Sequence, residues 1–368
     1  MLAPPFHNQR GVALLGALIL VMALVLIIGN IFYRHQIDVS QATQSLHRDQ
    51  ALLLALSGES WARQLLKDDD QAVDSFDELW AQAIPAMPVD GGLLNGCIAD
   101  LQGRFNLNSF SDYKSGKLRG ERGSENASYS NVWERLLSLS EIAIFPGRVE
   151  ALIDWIDTDS NVVGNAGAEQ DDYAGYLPPR MVANEKMAEP SELAAVQGYE
   201  IFEVQTIMPW ITALPDVTQI NINTASDRLL LAIGGDYDLQ FRDAVVANRP
   251  FNDMESLWES LEFELAMEKD LLKARWPETL LTTKTQYFQL YIEVLLGEAR
   301  IEVRSIINRP TSGKPVILAR DITTVPASLP RDGGSSLLEK LDVDMEDDEK
   351  DQDSENAVVQ PACAMIGA

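Results

Sequence analysis

The side chains best placed for chemistry lie in one short stretch. Asp157, Asp159 and Asn161 alternate along the chain, and Glu169, Asp171 and Asp172 follow closely. Oxygen ligands at every second position open many calcium loops, because a hard cation takes carboxylates and carbonyls from a chain that wraps around it. The stretch is not an EF-hand. Counted from Asp157, Val162 stands where that loop needs Gly, and Ala168 where it needs Glu. Gly164-Asn165-Ala166-Gly167 gives the segment freedom to fold back over an ion. A solvated, capped acidic loop is the alternative.

Other site chemistries find less support. The three histidines, His7, His35 and His47, all lie near the N-terminus. A Ser-His-Asp triad, a Cys-His pair and a histidine zinc site are therefore excluded beyond residue 47. A carboxylate-pair hydrolase would need two acids facing one cleft, and no pattern points to them. No enzyme is expected. The two cysteines, Cys97 and Cys363, exclude a multi-cysteine zinc cluster and a disulfide-dense scaffold. They permit one bridge in an oxidising compartment, with two unpaired thiols as the other possibility. With 29 basic against 56 acidic side chains the formal charge is -27, which repels nucleic acid and anionic lipid but leaves cation binding open.

Residues 220–257 (ININTASDRLLLAIGGDYDLQFRDAVVANRPFNDMESL) look like a helix-hairpin-helix unit. Such units hold phosphate through backbone N–H groups of a Gly-rich hairpin, usually with basic neighbours. Here Asp236 and Asp238 follow Gly234-Gly235, and acids outnumber bases, so a structural role is expected. The rival function this unit suggests is a signal-anchored periplasmic nucleic-acid receptor.

These groups need elements to position them. Val12 to Phe32 is uncharged and, at about 21 residues, long enough to cross a membrane as a helix. A cleaved secretory signal would have a shorter apolar run and a small-x-small site after it. No proline interrupts residues 12–84, and Ile37, Leu46, Leu53, Leu54, Trp61 and Leu65 keep helical spacing. One helix from Val12 to about Leu66 would be roughly 80 Å long, half in the membrane and half an amphipathic stem. Strands are expected over residues 96–110, in a hairpin over 287–309 turning at Gly297-Glu298, and over 315–323. Between them, residues 111–283 read as helices and loops opened by Ser, Pro or Asp. The expected fold class is α+β: a long N-terminal helix on a small antiparallel sheet, with a large helical domain inserted in the sheet domain. From about Pro326 the chain turns acidic and is expected to be disordered.

Three ordered segments carry a family resemblance over about residues 8–325: QRGVALL (9–15), LQGRFNLNSF (101–110), and ALIDWIDTDSNVVGNAGAEQDDY (151–173) followed by ITALPDVTQININTAS (211–226). Together they resemble general secretion pathway protein K, the large minor pseudopilin family of type II secretion. The resemblance implies a leader at 1–11 cut between Gly11 and Val12 by a prepilin peptidase, with methylation of Val12. It implies a transmembrane segment at 12–33, a periplasmic stem at 34–68, sheet segments at 69–110 and 284–325, the helical insertion at 111–283, and a tail at 326–368. Ordinary pilins carry Glu as the fifth mature residue, and Gly16 stands there. A carboxylate in lipid is costly unless it meets the amine of the subunit ahead, so its loss suits a tip position. Gly16 also reads simply as a small residue in a membrane helix.

The family binds calcium in its helical domain, which favours the ion over the bare loop. The expected ligands are Asp157, Asp159, Glu169 and Asp172, with Asn161 and Asp171 in reserve. The implied location is a single-pass inner-membrane protein with a cytoplasmic N-terminus and a periplasmic body. Implied partners are other minor pseudopilins, the prepilin peptidase, the inner-membrane secretion platform, and an exoprotein or the outer-membrane secretin, with no nucleic acid. The implied role is to start or cap the pseudopilus that exports folded proteins.

Overall fold

The computed structural model describes residues 10–82, 84–112 and 127–326. Residues 1–9 of the expected leader, and the tail from residue 327 on with Cys363, lie outside the described residues. Helix α1 (Arg10–Asp68) is a single helix of 59 residues. From Leu14 it is long and apolar enough to cross a membrane by length and composition. From Leu14 to Leu46 it is exposed, and its second half packs on a sheet.

After a 3-10 turn at Leu79–Ala81 come β1 (Ile84–Val89), β2 (Gly92–Asp100) and the two-residue β3 (Phe105–Asn106). Helices α2 (Tyr129–Leu139), α3 (Arg148–Ile156), α4 (Gln170–Ala174) and α5 (Ile201–Ile207) follow. Next are β4 (Ile211–Thr212), β5 (Ile220–Asn221), α6 (Asp227–Gly234), α7 (Asp238–Asn248), α8 (Met254–Leu265), α9 (Lys269–Arg275) and β6 (Leu281–Thr282). The chain then closes the main sheet with β7 (Tyr287–Leu296), β8 (Ala299–Asn308) and β9 (Val316–Pro326).

The main sheet has five strands in the order β1-β2-β7-β8-β9, all antiparallel. Strands β2 and β7 pair over their full common length, from Gly92↔Leu296 to Asp100↔Phe288, although the helical part of the chain lies between them. The sheet therefore reads through an insertion. Its stem-facing side buries Phe288, Leu290, Ile292, Val294, Ile301, Val303 and Ile307 against Ala51, Ala55, Ala62 and Leu66 of α1. Small residues on this helix stripe let the stem lie close to the strands. At Gly58 a Cβ would already sit 2.9 Å from Ile292 Cδ1. A second core fills the insertion, with Trp133, Leu152, Ile233, Phe241, Leu257 and Trp276 among its buried members.

Two local readings of the sequence differ from the structure. Only the first part of the 96–110 segment is strand; beyond Asp100 come a turn, the short β3 and a 3-10 stretch at Leu107–Asp112. The polar residues that alternated there bind backbone instead. Asp100 Oδ1 accepts from Gln102 N, Asn106 Oδ1 from Leu214 N, and Asn108 Nδ2 donates to Met187 O. The second is β1 (Ile84–Val89), a strand that the sequence reading did not expect and that carries Pro85 and Pro88. It survives as an edge strand, where a missing N–H costs no ladder bond, and its register slips between Ile84 and Met87.

Candidate metal centre

Helix α3 and the N-terminus of α4 bring the acidic side chains together. The backbone N–H of Asp157 closes the last turn of α3 on Ile153 O at 2.9 Å. Across the loop, Glu169 is the residue that opens α4. One oxygen each from Asp157, Asp159 and Glu169 lie within 4.8 Å of one another. Asp159 Oδ1 accepts from the backbone N–H and Nδ2 of Asn161, both at 2.7 Å, and Asn184 Nδ2 donates to Asp159 O at 2.8 Å. Those bonds fold the loop back on itself.

Several buried oxygens lack a partner. Glu169 is 6% exposed, and neither carboxylate oxygen has a hydrogen bond; Asp157 Oδ1 and Asp154 Oδ2 are in the same state. Burying a carboxylate without a donor or cation is strongly unfavourable, so the geometry calls for a positive group. Burial pushes Asp154 up to about 7, with Glu169 and Asp157 adding repulsion. Burial and the Asp159 charge carry Asp157 to about 6, and burial followed by Asp157 and Asp159 raises Glu169. An all-oxygen donor set of this kind fits a hard divalent ion better than zinc or copper.

Of the four expected ligands, Asp157, Asp159 and Glu169 converge. Asp172 turns away to accept from Glu169 N at 3.1 Å, capping α4. Asp171 is exposed, and Asn161 spends its amide on Asp159. Sequence reading missed Asp154. It is fully buried, takes Val163 N on Oδ1 at 2.9 Å, and leaves Oδ2 against Gly167, where any Cβ would overlap it. Its i, i+3 relation to Asp157 on one helix was the available signal.

A second acidic group, Asp69, Asp74 and Glu78, already has its cation. Arg309 pairs with Asp69 at 2.8 Å and also with Asp74, while Glu78 takes Ser75 N and Trp80 Nε1. The hairpin at Gly234–Gly235 is part of the core: Leu229, Leu230 and Ile233 of α6 pack with Phe241 and Val245 of α7. Arg135 of α2 lies directly against Gly235, whose φ is +65°. Gly11, Val12 and Gly16 lie on α1, and a Cβ at Gly16 would meet nothing within 4 Å. Cys97 is buried on β2, 2% exposed.

A family model described as type II secretion system (T2SS), protein K, matches residues 103–216. The type II secretion system protein K of Pectobacterium carotovorum subsp. carotovorum is 30% identical over 315 residues, covering 82% of this chain and 93% of that protein. The chain belongs to the type II secretion system protein K family. The protein K of Pseudomonas aeruginosa is 28% identical over 339 residues, covering 89% of this chain and 97% of the relative. Among solved structures, the GspK-GspI-GspJ complex from enterotoxigenic Escherichia coli gives a TM-score of 0.63 at 23% identity, covering 77% of this chain and 99% of that chain. That likeness establishes the protein K fold. The span matched by the family model holds both the 101–110 polar segment, except its first residues, and the whole acidic loop, so the candidate centre is embedded in the protein K body.

Proposed function

We propose that this chain is the tip subunit of a type II secretion pseudopilus, starting or capping its assembly so that folded proteins are exported across the outer membrane. In this reading it is a single-pass inner-membrane precursor with its N-terminus in the cytoplasm. Prepilin peptidase cuts between Gly11 and Val12, and Val12 is methylated. The secretion platform then passes the subunit into a periplasmic tip with other minor pseudopilins, where it faces the exoprotein or the secretin. Its work is mechanical and not enzymatic.

The observation that carries the reading is where the insertion leaves the sheet. Asp100, the last residue of β2, lies beside Asn221 of the insertion and near Asp74, just past the end of α1. The bulk therefore emerges at the stem end farthest from the apolar half of the helix. A subunit stacked above would meet that bulk, while subunits along the stem would not. Gly16 agrees, since a tip subunit has no amine ahead to pair with a buried carboxylate. The solved relative, named as a complex of GspK with GspI and GspJ, supports minor pseudopilins as partners.

We assign the loop at 157–169 as a calcium site held by Asp157, Asp159 and Glu169, with Asp154 beneath it and Asp172 as the cap. The buried, unpartnered Glu169 carboxylate supports this. Bound calcium would cancel the repulsion among these acids and fix α3 to α4.

The test is the position of the chain in pseudopili assembled with prepilin peptidase present. Intact mass should show a chain beginning at N-methylated Val12, and an affinity tag should label one end of each filament. An uncleaved chain, or label spread along the filament, would overturn the proposal.

A further inference from the structure

We infer that the helical insertion carries a docking face for a partner protein whose apolar side chains are bordered by Lys or Arg. The loop between α2 and α3 and the first turn of α5 build this face, which does not depend on the tip position.

That loop is held at both ends. Ser140 Oγ closes α2 on Leu136 O at 2.8 Å, and Ile142 N bonds Leu137 O at 3.0 Å. Glu141 takes a left-handed φ of +60°, and Gly147, with φ +104°, caps the start of α3. A left-handed residue other than glycine is uncommon and persists only where its surroundings fix it. Ile142 turns into the core, whereas Ala143, Ile144, Phe145 and Pro146 all stay exposed.

A buried clamp sets this loop beside α5. The Phe145 ring lies on Gly198, where a Cβ would sit 3.2 Å from it. Arg148 stacks on Phe145 and Tyr199, 4.5 and 5.0 Å from their ring centroids, and pairs with Glu203 of α5 at 2.7 Å. Glu203, Val204 and Ile207 take the inner side of α5, which leaves Ile201 and Phe202 in solvent. The exposures are 48% for Ile144, 43% for Phe145, 66% for Ile201 and 65% for Phe202.

Single apolar side chains on a surface need no explanation, but a contiguous group does. At about 200 Å² for each large side chain when fully exposed, the four present roughly 400 Å². Patches of that size on a monomer are often functional. It is about half of what one partner gives to a stable interface, which suits an occupant that binds and leaves.

Charge identifies the occupant's chemistry. Glu141 and Glu200 border the face and are exposed, while Arg148 at its centre is spent on Glu203. Residues 127–283 hold 27 acidic and 10 basic side chains. A second copy of this chain would bring the same acidic border and be repelled. A segment with Lys or Arg beside its apolar anchors is attracted instead.

The experiment uses the full chain in detergent and short fluorescent peptides, read by anisotropy. The first peptide carries Phe and Leu between lysines. The second has glutamates in place of the lysines, and the third has serines in place of Phe and Leu. Only the first should bind saturably, with a Kd below about 100 μM. Ile201→Ser combined with Phe202→Ser should weaken it by about tenfold or more at an unchanged Tm. Detergent uptake of the peptide is common to parent and variant and cancels. Should the double variant lose stability, Ile144→Ser decides in its place. Glu141→Gln with Glu200→Gln should narrow the gap between the lysine and glutamate peptides. No saturable binding of the first peptide, equal binding of the second, or binding unchanged in the apolar variants overturns the inference. So does a dimer of the parent chain that those variants dissolve, because the occupant is then a second copy. None of these outcomes bears on processing at Gly11, so the secretion reading stands or falls separately.

Discussion

An ion pair with unequally buried halves joins the stem to the sheet, and that inequality makes a sharp prediction. Glu59 of α1 is 3% exposed and accepts from Ser305 Oγ at 2.7 Å and from Arg320 Nε and Nη2 at 2.7 and 2.6 Å. Arg320 on edge strand β9 keeps 38% of its side chain in solvent. Arg320→Ala strands a buried carboxylate, with Ser305 and the more distant Arg63 charge to support it. Breaking a buried pair this way costs about 3 kcal/mol, reduced to roughly 2–3 by the solvent already reaching Arg320. Glu59→Ala instead leaves an arginine free to turn to water and one buried Ser305 hydroxyl short of an acceptor, about 1–2 kcal/mol. The arginine variant should therefore be the less stable one, and the double variant should resemble Glu59→Ala alone. The pH dependence reverses too. In the parent, burial pushes Glu59 up, but Arg320 and Ser305 together outweigh it and hold it below its ordinary 4.5. Its contribution is present above that value and lost as pH falls through the lowered one. Without Arg320, burial dominates and the folded value rises. The deficit of Arg320→Ala should then be small at about pH 4 and grow towards pH 7. Urea unfolding of the full chain in detergent at both pH values measures this. Equal losses in the two single variants, or a deficit independent of pH, would refute the reasoning.

Calcium at about 100-fold above its dissociation constant should stabilise the chain by about 2.7 kcal/mol, seen as a rise of several degrees in Tm and removed by chelator. Asp159→Ala combined with Glu169→Ala should abolish that rise. Gly167→Ala places a methyl on the Asp154 carboxylate and close to Val163 O, 2.9 Å away, so it should cost roughly 1–3 kcal/mol and weaken the calcium response in the same titration. Asn221→Ala removes donors to Asp100 Oδ2 and Asp74 O, at 2.9 and 3.0 Å, from a fully buried position, and should cost about 3 kcal/mol in urea unfolding.

What the sequence made legible is what local periodicity encodes. The α1 helix follows from an apolar run without proline, and the hairpin of β7 and β8 from alternation on both sides of Gly297. The insertion follows because strand patterning stops and resumes. Contacts set by tertiary approach were hidden. Asp154 looked like one more polar residue in an amphipathic helix until Gly167 packed on it. Strand β1 was masked by two prolines that only an edge position tolerates. Asn106 and Asn108 imitated strand alternation while serving as bridges to Leu214 and Met187. The Glu59–Arg320 pair joins residues 261 apart, and no spacing rule reaches that far.

One buried polar knot explains how a sheet carries a domain inserted between two paired strands without giving way. Asp100 ends β2, and its Oδ2 accepts from Thr224 Oγ1 and Thr285 Oγ1, both at 2.6 Å, and from Asn221 Nδ2. Thr285, just before β7, donates its N–H to Asp74 Oδ2 at 2.7 Å, and its carbonyl takes Arg309 Nη2 at 2.8 Å. Arg309 in turn holds Asp69 beside the end of the stem. The exit of β2, the entry of β7, the insertion and the stem thus meet at one set of charge-assisted bonds out of water, where each bond is stronger than at the surface and each loss is expensive. A helical domain joined only by its two chain crossings would swing on them. Fastened here, the insertion is tied to the end of the stem through Asp100, Asp74 and Arg309 as well as through its two chain crossings.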